Sequence, residues 1–247
     1  MNKYQILKDI IDECTNIVVF TGAGISTGSG IPDFRSADGI YNQKTNDKYS
    51  PEDIISNSFF LRNTSEFYEF YKKYMVYPEA KPNIAHEYFA NLEKKRKNVI
   101  VITQNIDGLH RDAGNSFVYE IHGSVKYNYC QHCHKQYDLD YIMKSDGVPH
   151  CEKCGGVIKP DVVLYEEPLD SKLMELSIYA IMGCECLIVV GTSLNVYPAA
   201  GFLRYFKGKY LVVINKEKTN IDNQCDLVIN EDVITVIENL QNLNKKV

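Results

Sequence analysis

Nowhere does the 247-residue chain approach the ~20 consecutive apolar residues that a membrane-spanning helix requires. The opening stretch, MNKYQILKDIIDEC, has no long apolar core of the kind a secretory leader needs. Its apolar members, Ile6, Leu7, Ile10, Ile11 and Cys14, recur at helical spacing and predict an amphipathic first helix. Together these gaps lead to the expectation of a soluble, cytoplasmic protein. Basic charge is also short. Lys and Arg number 27 against 32 Asp and Glu, a net charge of −5. Duplex nucleic acid needs a basic face, so no direct nucleic-acid partner is expected, and no membrane partner either. The one basic run, Glu93-Lys94-Lys95-Arg96-Lys97, reads as a solvated helix end. The chain also lacks internal repeats and low-complexity linkers, and it leaves the oligomeric state open.

What is present begins with a 45% apolar content, enough for a full core. Five β-branched runs stand out: 17–20, 99–103, 187–191, 210–215 and 226–229. Each is nearly continuous rather than alternating, as suits strands buried on both faces of a parallel sheet. Helical patterns lie between several of them, at 198–206 for instance, and the tail VITVIENLQNL predicts a closing helix. The expected fold is α/β, a Rossmann-like doubly wound parallel sheet, with ligands beyond the carboxyl ends of the strands. Two intervals are too long for bare crossovers. About 78 residues separate the first two runs and include helical stretches near 51–62 and 64–77, and 125–160 carries four of the eight cysteines. The expected division is a nucleotide-binding domain of 1–35, 80–124 and 160–247, with 36–79 and 125–159 forming a smaller zinc-binding and helical lobe.

Cys130-x2-Cys133, seventeen residues, then Cys151-x2-Cys154 is the most specific short pattern. Two knuckles of this kind supply the tetrahedral sulfur set that zinc prefers. His132, His134 and His150 are close enough in sequence for a three-cysteine, one-histidine site, although symmetry favours four cysteines. Four protein ligands leave no open position, so the metal is expected to be structural. Cys14, Cys184, Cys186 and Cys225 read as packing residues.

After the first apolar run come Gly22-Ala23-Gly24, then Gly28 and Gly30, a turn that lets backbone approach a phosphate. The pattern then departs from a dehydrogenase. Ile31-Pro32 cuts the helix short, Asp33-Phe34-Arg35 follows, and no strand-end acid stands about twenty residues on to hold a ribose. Polar residues cluster instead where later strands should end: Gln104, Asn105 and Asp107; Gly191-Thr192-Ser193; Asn215-Lys216. His122, beside Gly123, is the best general-base candidate of the six histidines, whereas His86 sits in an apolar helical pattern and reads as core.

Taken in order, GAGIS…SGIPDFRS, TQNIDGLH, HGS, the two CxxC pairs, KPDVVLYEE, GTSLNVYPAA and INK resemble the sirtuins, NAD-dependent protein-lysine deacylases, in their minimal bacterial form. The resemblance implies that NAD is a co-substrate that is cleaved rather than reduced, that zinc is structural, and that the partners are acyl-lysine proteins or peptides. It implies a cofactor site of Gly22, Ala23, Gly24, Thr27, Asp33, Phe34, Arg35, Gln104, Asn105, Ile106, Asp107, His122, Gly191, Thr192, Ser193, Asn215, Lys216 and Asp232. Within it His122 is the base, with Asn105 and Asp107 at the nicotinamide. Val163-Leu164-Tyr165 and Asn195-Val196-Tyr197 would sandwich a peptide by strand addition. Gly28, Gly30 and Gly39, with the polar stretch 36–50, would form a closing loop that excludes water. An ADP-ribosyltransferase sharing the same bond cleavage is the alternative; a zinc-dependent interaction module and a redox dehydrogenase fit less well.

Two departures from the family pattern stand out. Glu166 occupies a position where glycine is frequent, which puts the neighbouring backbone in question. Tyr68-x-x-Tyr71 stands where acid-selective sirtuins carry Tyr-x-x-Arg, so an acetyl or other neutral acyl group is expected.

Overall fold

The computed structural model describes residues 2–33, 39 and 49–244. Phe34, Arg35 and nearly all of the expected closing loop (36–48, apart from Gly39) lie outside the described residues. In chain order the elements begin with α1 (Lys3–Glu13), β1 (Asn16–Thr21), α2 (Pro51–Ile54), α3 (Asn57–Arg62), α4 (Thr64–Phe70), α5 (Ile84–Lys94) and β2 (Asn98–Thr103). Next come α6 (Leu109–Asp112), β3 (Phe117–Glu120), β4 (Gly123–Cys130), β5 (Gln136–Asp138), α7 (Leu139–Lys144) and β6 (Ile158–Val162). The chain continues through α8 (Ser171–Gly183), β7 (Cys186–Val190), β8 (Tyr210–Ile214), β9 (Leu227–Ile229) and α9 (Val233–Asn244).

Six strands form one parallel sheet in the order β3-β2-β1-β7-β8-β9. The five apolar runs account for five of them, because each is buried on both faces and needs no alternation. One layer packs α1, α5 and α9 through Leu7, Ile11, Phe89, Val236 and Ile237. The opposite face takes Ile181 of α8 together with Phe202 and Leu203. The strand order reverses between β1 and β7, since β2 and β3 lie on one side and β8 and β9 on the other. At such a switch point the loops leave in opposite directions and open a crevice beyond the strand ends.

A second core is aromatic. Phe60, Phe67, Tyr68 and Tyr71 pack edge-on or stacked, with centroids 5.0 to 6.3 Å apart, against Ile142, Ile158 and Leu164. Each such ring contributes roughly 1.5–3 kcal/mol by leaving water. A three-stranded antiparallel sheet, β5-β4-β6, carries this core toward the four cysteines. Tyr68 donates to the Ile158 carbonyl, and burial pushes its hydroxyl pKa, like that of Tyr71, well up. Both tyrosines therefore serve packing.

The structure differs from the sequence expectations at three places. β3 is an edge strand of four residues with Phe117 exposed, too short and too alternating to read as a buried run. The expected helix at 198–206 is a 3-10 helix, Ala199–Tyr205. The stretch 64–77 is α4 followed by a wider π-helical turn, Tyr71–Met75, which delivers Met75 to the crevice.

Candidate functional site

The carboxyl ends of β1, β2, β7 and β8 converge on a cavity of about 1100 Å³. The glycine turn forms one wall because nothing larger fits. A Cβ on Gly24 would stand 2.7 Å from Gly191 Cα, and one on Gly22 would stand 2.7 Å from Thr192 Cβ. Two backbone bonds lock this approach, Gly22 N–H to the Val190 carbonyl at 3.1 Å and Gly24 N–H to the Gly191 carbonyl at 2.8 Å. In place of a long helix the turn continues as two short 3-10 turns, Ala23–Ile25 and Thr27–Ser29. Thr27 donates to the Gly24 carbonyl at 3.1 Å.

Opposite this wall, Asn105 and Asp107 meet on one hydroxyl. Ser26 donates to Asp107 at 2.7 Å, and Asn105 Nδ2 donates to Ser26 at 2.9 Å. Burial pushes the Asp107 carboxyl pKa up, against the Leu109 N–H at 2.9 Å and the Ser26 hydroxyl, which favour the anion. Ser26, Asn105 and Asp107 border an adjoining cavity of about 110 Å³, lined mainly by apolar groups such as Ile31, Met75, Tyr77 and Val125. Ala23, Ile31, Pro32, Met75, Asn105 and Ile106 are common to the two cavities.

His122, just after β3, lines the large cavity. Its Nδ1 is 3.0 Å from the Gln104 carbonyl. A carbonyl only accepts, so Nδ1 carries the proton and Nε2 is left basic. Burial lowers the pKa of the ring, and the Gln104 carbonyl opposes this only in part. The imidazole is therefore neutral at pH 7. Gln104 is itself held by its amide on Thr192 Oγ1 at 3.1 Å.

The same cavity is lined by Gly22, Ala23, Gly24, Thr27, Asp33, Gln104, Asn105, Ile106, Gly191, Thr192, Ser193, Asn215, Lys216 and Asp232. Val163, Leu164, Tyr165, Val196 and Tyr197 line it too, whereas Asn195 does not and Asp107 belongs to the smaller one. Lys216 and Asp232 form an ion pair at 2.9 Å in its lining. Sequence reasoning missed Ser26, Met75 and Glu231. Ser26 follows the glycine turn as an ordinary serine, and only its two contacts mark it.

About the cysteines the arrangement is unambiguous. Cys130, Cys133, Cys151 and Cys154 place their sulfurs within 4.8 Å of one another, with Cys130–Cys154 at 3.4 Å and Cys133–Cys151 at 3.5 Å. Zinc–sulfur bonds of ~2.3 Å in a tetrahedron set sulfur pairs ~3.8 Å apart, so the set fits zinc. His150 is engaged with the Gly155 carbonyl at 3.0 Å. Cys14, Cys184 and Cys186 are buried in the main cores, and Cys225 packs half-buried beside one of them.

His86 and His110 are buried and meet edge-on with ring centroids 4.8 Å apart, and His110 Nε2 meets Thr21 Oγ1 at 3.1 Å. Burial lowers the His86 pKa to about 4 and that of His110 well below its usual value. Both rings are neutral when folded but take a proton near pH 6.5 when unfolded. Their stability contribution is whole above that pH and is lost as pH falls toward 4, by about 3 kcal/mol for His86. Thermal melts by circular dichroism from pH 7.5 to 4.5 should show the decline, and His86→Leu should flatten it. An unchanged pH slope in that variant would refute the assignment.

The Sir2 family model matches residues 22–198. An NAD-dependent protein deacetylase of Clostridium perfringens is 54% identical over 96% of this chain and 97% of its own length. One from Clostridium acetobutylicum is 51% identical over 96% of this chain and 98% of its own. A solved Sir2 structure with p53 peptide and NAD+ superposes with a TM-score of 0.85 at 37% identity, covering both chains fully. Another, Sir2Tm bound to a propionylated peptide, reaches 0.86 at 36% identity over 99% of each chain.

Proposed function

This chain belongs to the Sir2 family, and from that premise we propose that it is an NAD-dependent protein-lysine deacetylase, moving the acyl group from lysine to ADP-ribose as nicotinamide leaves. The observation that carries this reading is the single cavity in which a glycine turn, a neutral histidine and two peptide-flanking segments meet. NAD brings the glycosidic bond to be broken. The chain contributes position: holding the acyl oxygen close to the sugar carbon supplies up to ~7–11 kcal/mol of the barrier in favourable cases.

In this reading the Gly22–Gly24 backbone admits the pyrophosphate, and Asn105 and Asp107, braced by Ser26, orient the nicotinamide amide. Thr192, Ser193 and Asn215 take the adenosine half. His122 Nε2 removes a proton from a ribose hydroxyl, a task that a base neutral near pH 7 performs well. Val163–Tyr165 and Asn195–Tyr197 flank the peptide backbone. We assign 1–35, 80–124 and 160–247 to the nucleotide domain and the remaining 36–79 and 125–159 to the small lobe, a division supported by their cores, which meet where Val162 and Leu164 pack into the second. Zinc on the four cysteines supplies a closed structural knot. Reduced thiols of this kind suit the cytoplasm, and no helix among the described residues is long and apolar enough to cross a membrane.

The acyl group is neutral in this proposal. Among the described residues lining the large cavity the only Lys or Arg is Lys216, already paired with Asp232. In the smaller cavity Lys126 is paired with Asp112. Lys72 is spent on the Ser145 and Gly147 carbonyls, at 2.6 and 3.1 Å. With no unpaired cation among the described lining residues, a succinyl carboxylate would be desolvated at a cost of at least ~10-fold in kcat/KM. Mass spectrometry with acetyl- and succinyl-lysine peptides should therefore find acetylated ADP-ribose as the main product. Faster succinyl turnover overturns the preference, and label on protein without deacylation would establish ADP-ribosyl transfer instead.

A further inference from the structure

Glu166 adopts a left-handed backbone, φ +74°, a region that disfavours every side chain except where the surroundings enforce it. The surroundings here are polar and specific. Its carboxylate accepts from Ser58 N–H at 2.8 Å through one oxygen and from the Ser58 hydroxyl at 3.0 Å through the other. Ser58 lies in the first turn of α3, where backbone N–H groups lack helical partners and an anion is favoured.

The preceding residue is bound to the same place. Tyr165 N–H donates to the Ile55 carbonyl at 3.0 Å, and its carbonyl accepts from Asn57 N–H at 3.0 Å. At the other end of this segment Val163 N–H donates to the His122 carbonyl at 2.9 Å. Glu167 bends back to accept from Leu164 N–H at 2.8 Å and from Lys159 at 3.0 Å. The segment 163–166 is thus strung between the catalytic histidine and α3, and the Glu166 carboxylate is the side-chain anchor at its far end.

We propose that Glu166 is a positioning residue for peptide binding: clamped on Ser58, it holds Val163–Tyr165 in the extended form that a substrate strand can join. The left-handed backbone is then tolerated for the sake of the side chain. A segment held in its bound shape spares the substrate the cost of ordering it. The inference rests on the deacetylase reading above.

The test compares Glu166→Ala, Glu166→Gly, Glu166→Gln and Ser58→Ala in the full chain. KM for an acetyl-lysine peptide and its direct affinity by fluorescence anisotropy are measured for each. Glu166→Ala should raise KM and the dissociation constant ~5- to 10-fold, the scale of a lost helix cap, with kcat and KM for NAD within about twofold. Ser58→Ala, which keeps the backbone donor, should fall between, and Glu166→Gln should recover part of the loss. Glu166→Gly decides the matter. It relieves the backbone yet lacks the carboxylate, so wild-type KM in this variant would mean that the backbone shape alone matters and would overturn the proposal. Wild-type affinity in Glu166→Ala overturns it as well. A wild-type protein that binds the peptide without turning it over refutes the deacetylase reading but leaves the affinity comparison to judge the clamp. One that neither binds nor reacts overturns both.

Discussion

Replacing His122 with Ala is expected to lower peptide-dependent formation of acetylated ADP-ribose by ~10²–10⁴-fold, the usual share of a positioned general base, while NAD affinity stays within about threefold. The large effect follows from how much of the fold is devoted to one nitrogen. The Gln104 carbonyl accepts a hydrogen bond from Nδ1–H at 3.0 Å, so the tautomer is set and Nε2 is left to accept. Gln104 is fixed in turn by Thr192 at 3.1 Å, which ties the base to the loop after β7. Burial lowers the pKa of the ring, keeping it unprotonated near neutrality. The acid limb of kcat/KM in the wild-type enzyme should therefore lie below the ordinary histidine pKa of ~6.5. The affinity for NAD should survive because the imidazole's hydrogen bond is to the Gln104 carbonyl and not to the glycine turn or to the residues proposed to take the adenosine half. Formation of acetylated ADP-ribose by the Ala variant at near-wild-type rates would remove His122 from the chemistry, and a limb above ~7 would contradict its burial.

The second large effect is expected from the metal. Stripping zinc with a strong chelator, or Cys151→Ser, should collapse β4, β5 and β6 and abolish deacetylation although the cysteines lie apart from the cavity. Structural zinc sites contribute ~10–16 kcal/mol at neutral pH, as much as the whole stability of an ordinary domain. The sulfurs depend on other groups as well. Tyr137 donates to Cys151 Sγ at 3.0 Å, and the His132 and Cys133 N–H groups point at Cys130 Sγ at 3.4 and 3.5 Å. The same lobe supplies Ile55 and Met75 to the cavity wall, so its loss reaches the site. A colorimetric zinc assay on the purified protein should find one zinc per chain. Circular dichroism after chelation should show loss of sheet and a fall in Tm of more than ~10 °C. A zinc-free protein of unchanged Tm and activity would refute the structural role.

Periodicity and spacing carried much of this in advance. The runs at 17–20, 99–103 and 187–191 are legible as central strands because burial on both faces requires continuous apolar residues, and that requirement is local. The CxxC pairs are legible because a metal knuckle constrains two residues three positions apart. β3 was not legible, since an edge strand of four residues needs only a neighbour to pair with. β4 was hidden for a related reason: its sequence, GSVKYNYC, is held by β5, β6 and the sulfurs rather than by its own pattern.

By itself, then, the sequence determined the parallel core, the sulfur set and the polar residues at the strand ends, all of which follow from short-range periodicity and the valence of side chains. Only the tertiary structure decided that Ser26 joins Asn105 to Asp107, that Gln104 sets the tautomer of His122, and that Glu166 reaches Ser58 across 108 residues of chain. Each of these is a contact between segments whose separation in sequence carries no distance information. Only the packing of strands, turns and α3 against one another brings them within the ~3 Å over which a hydrogen bond acts.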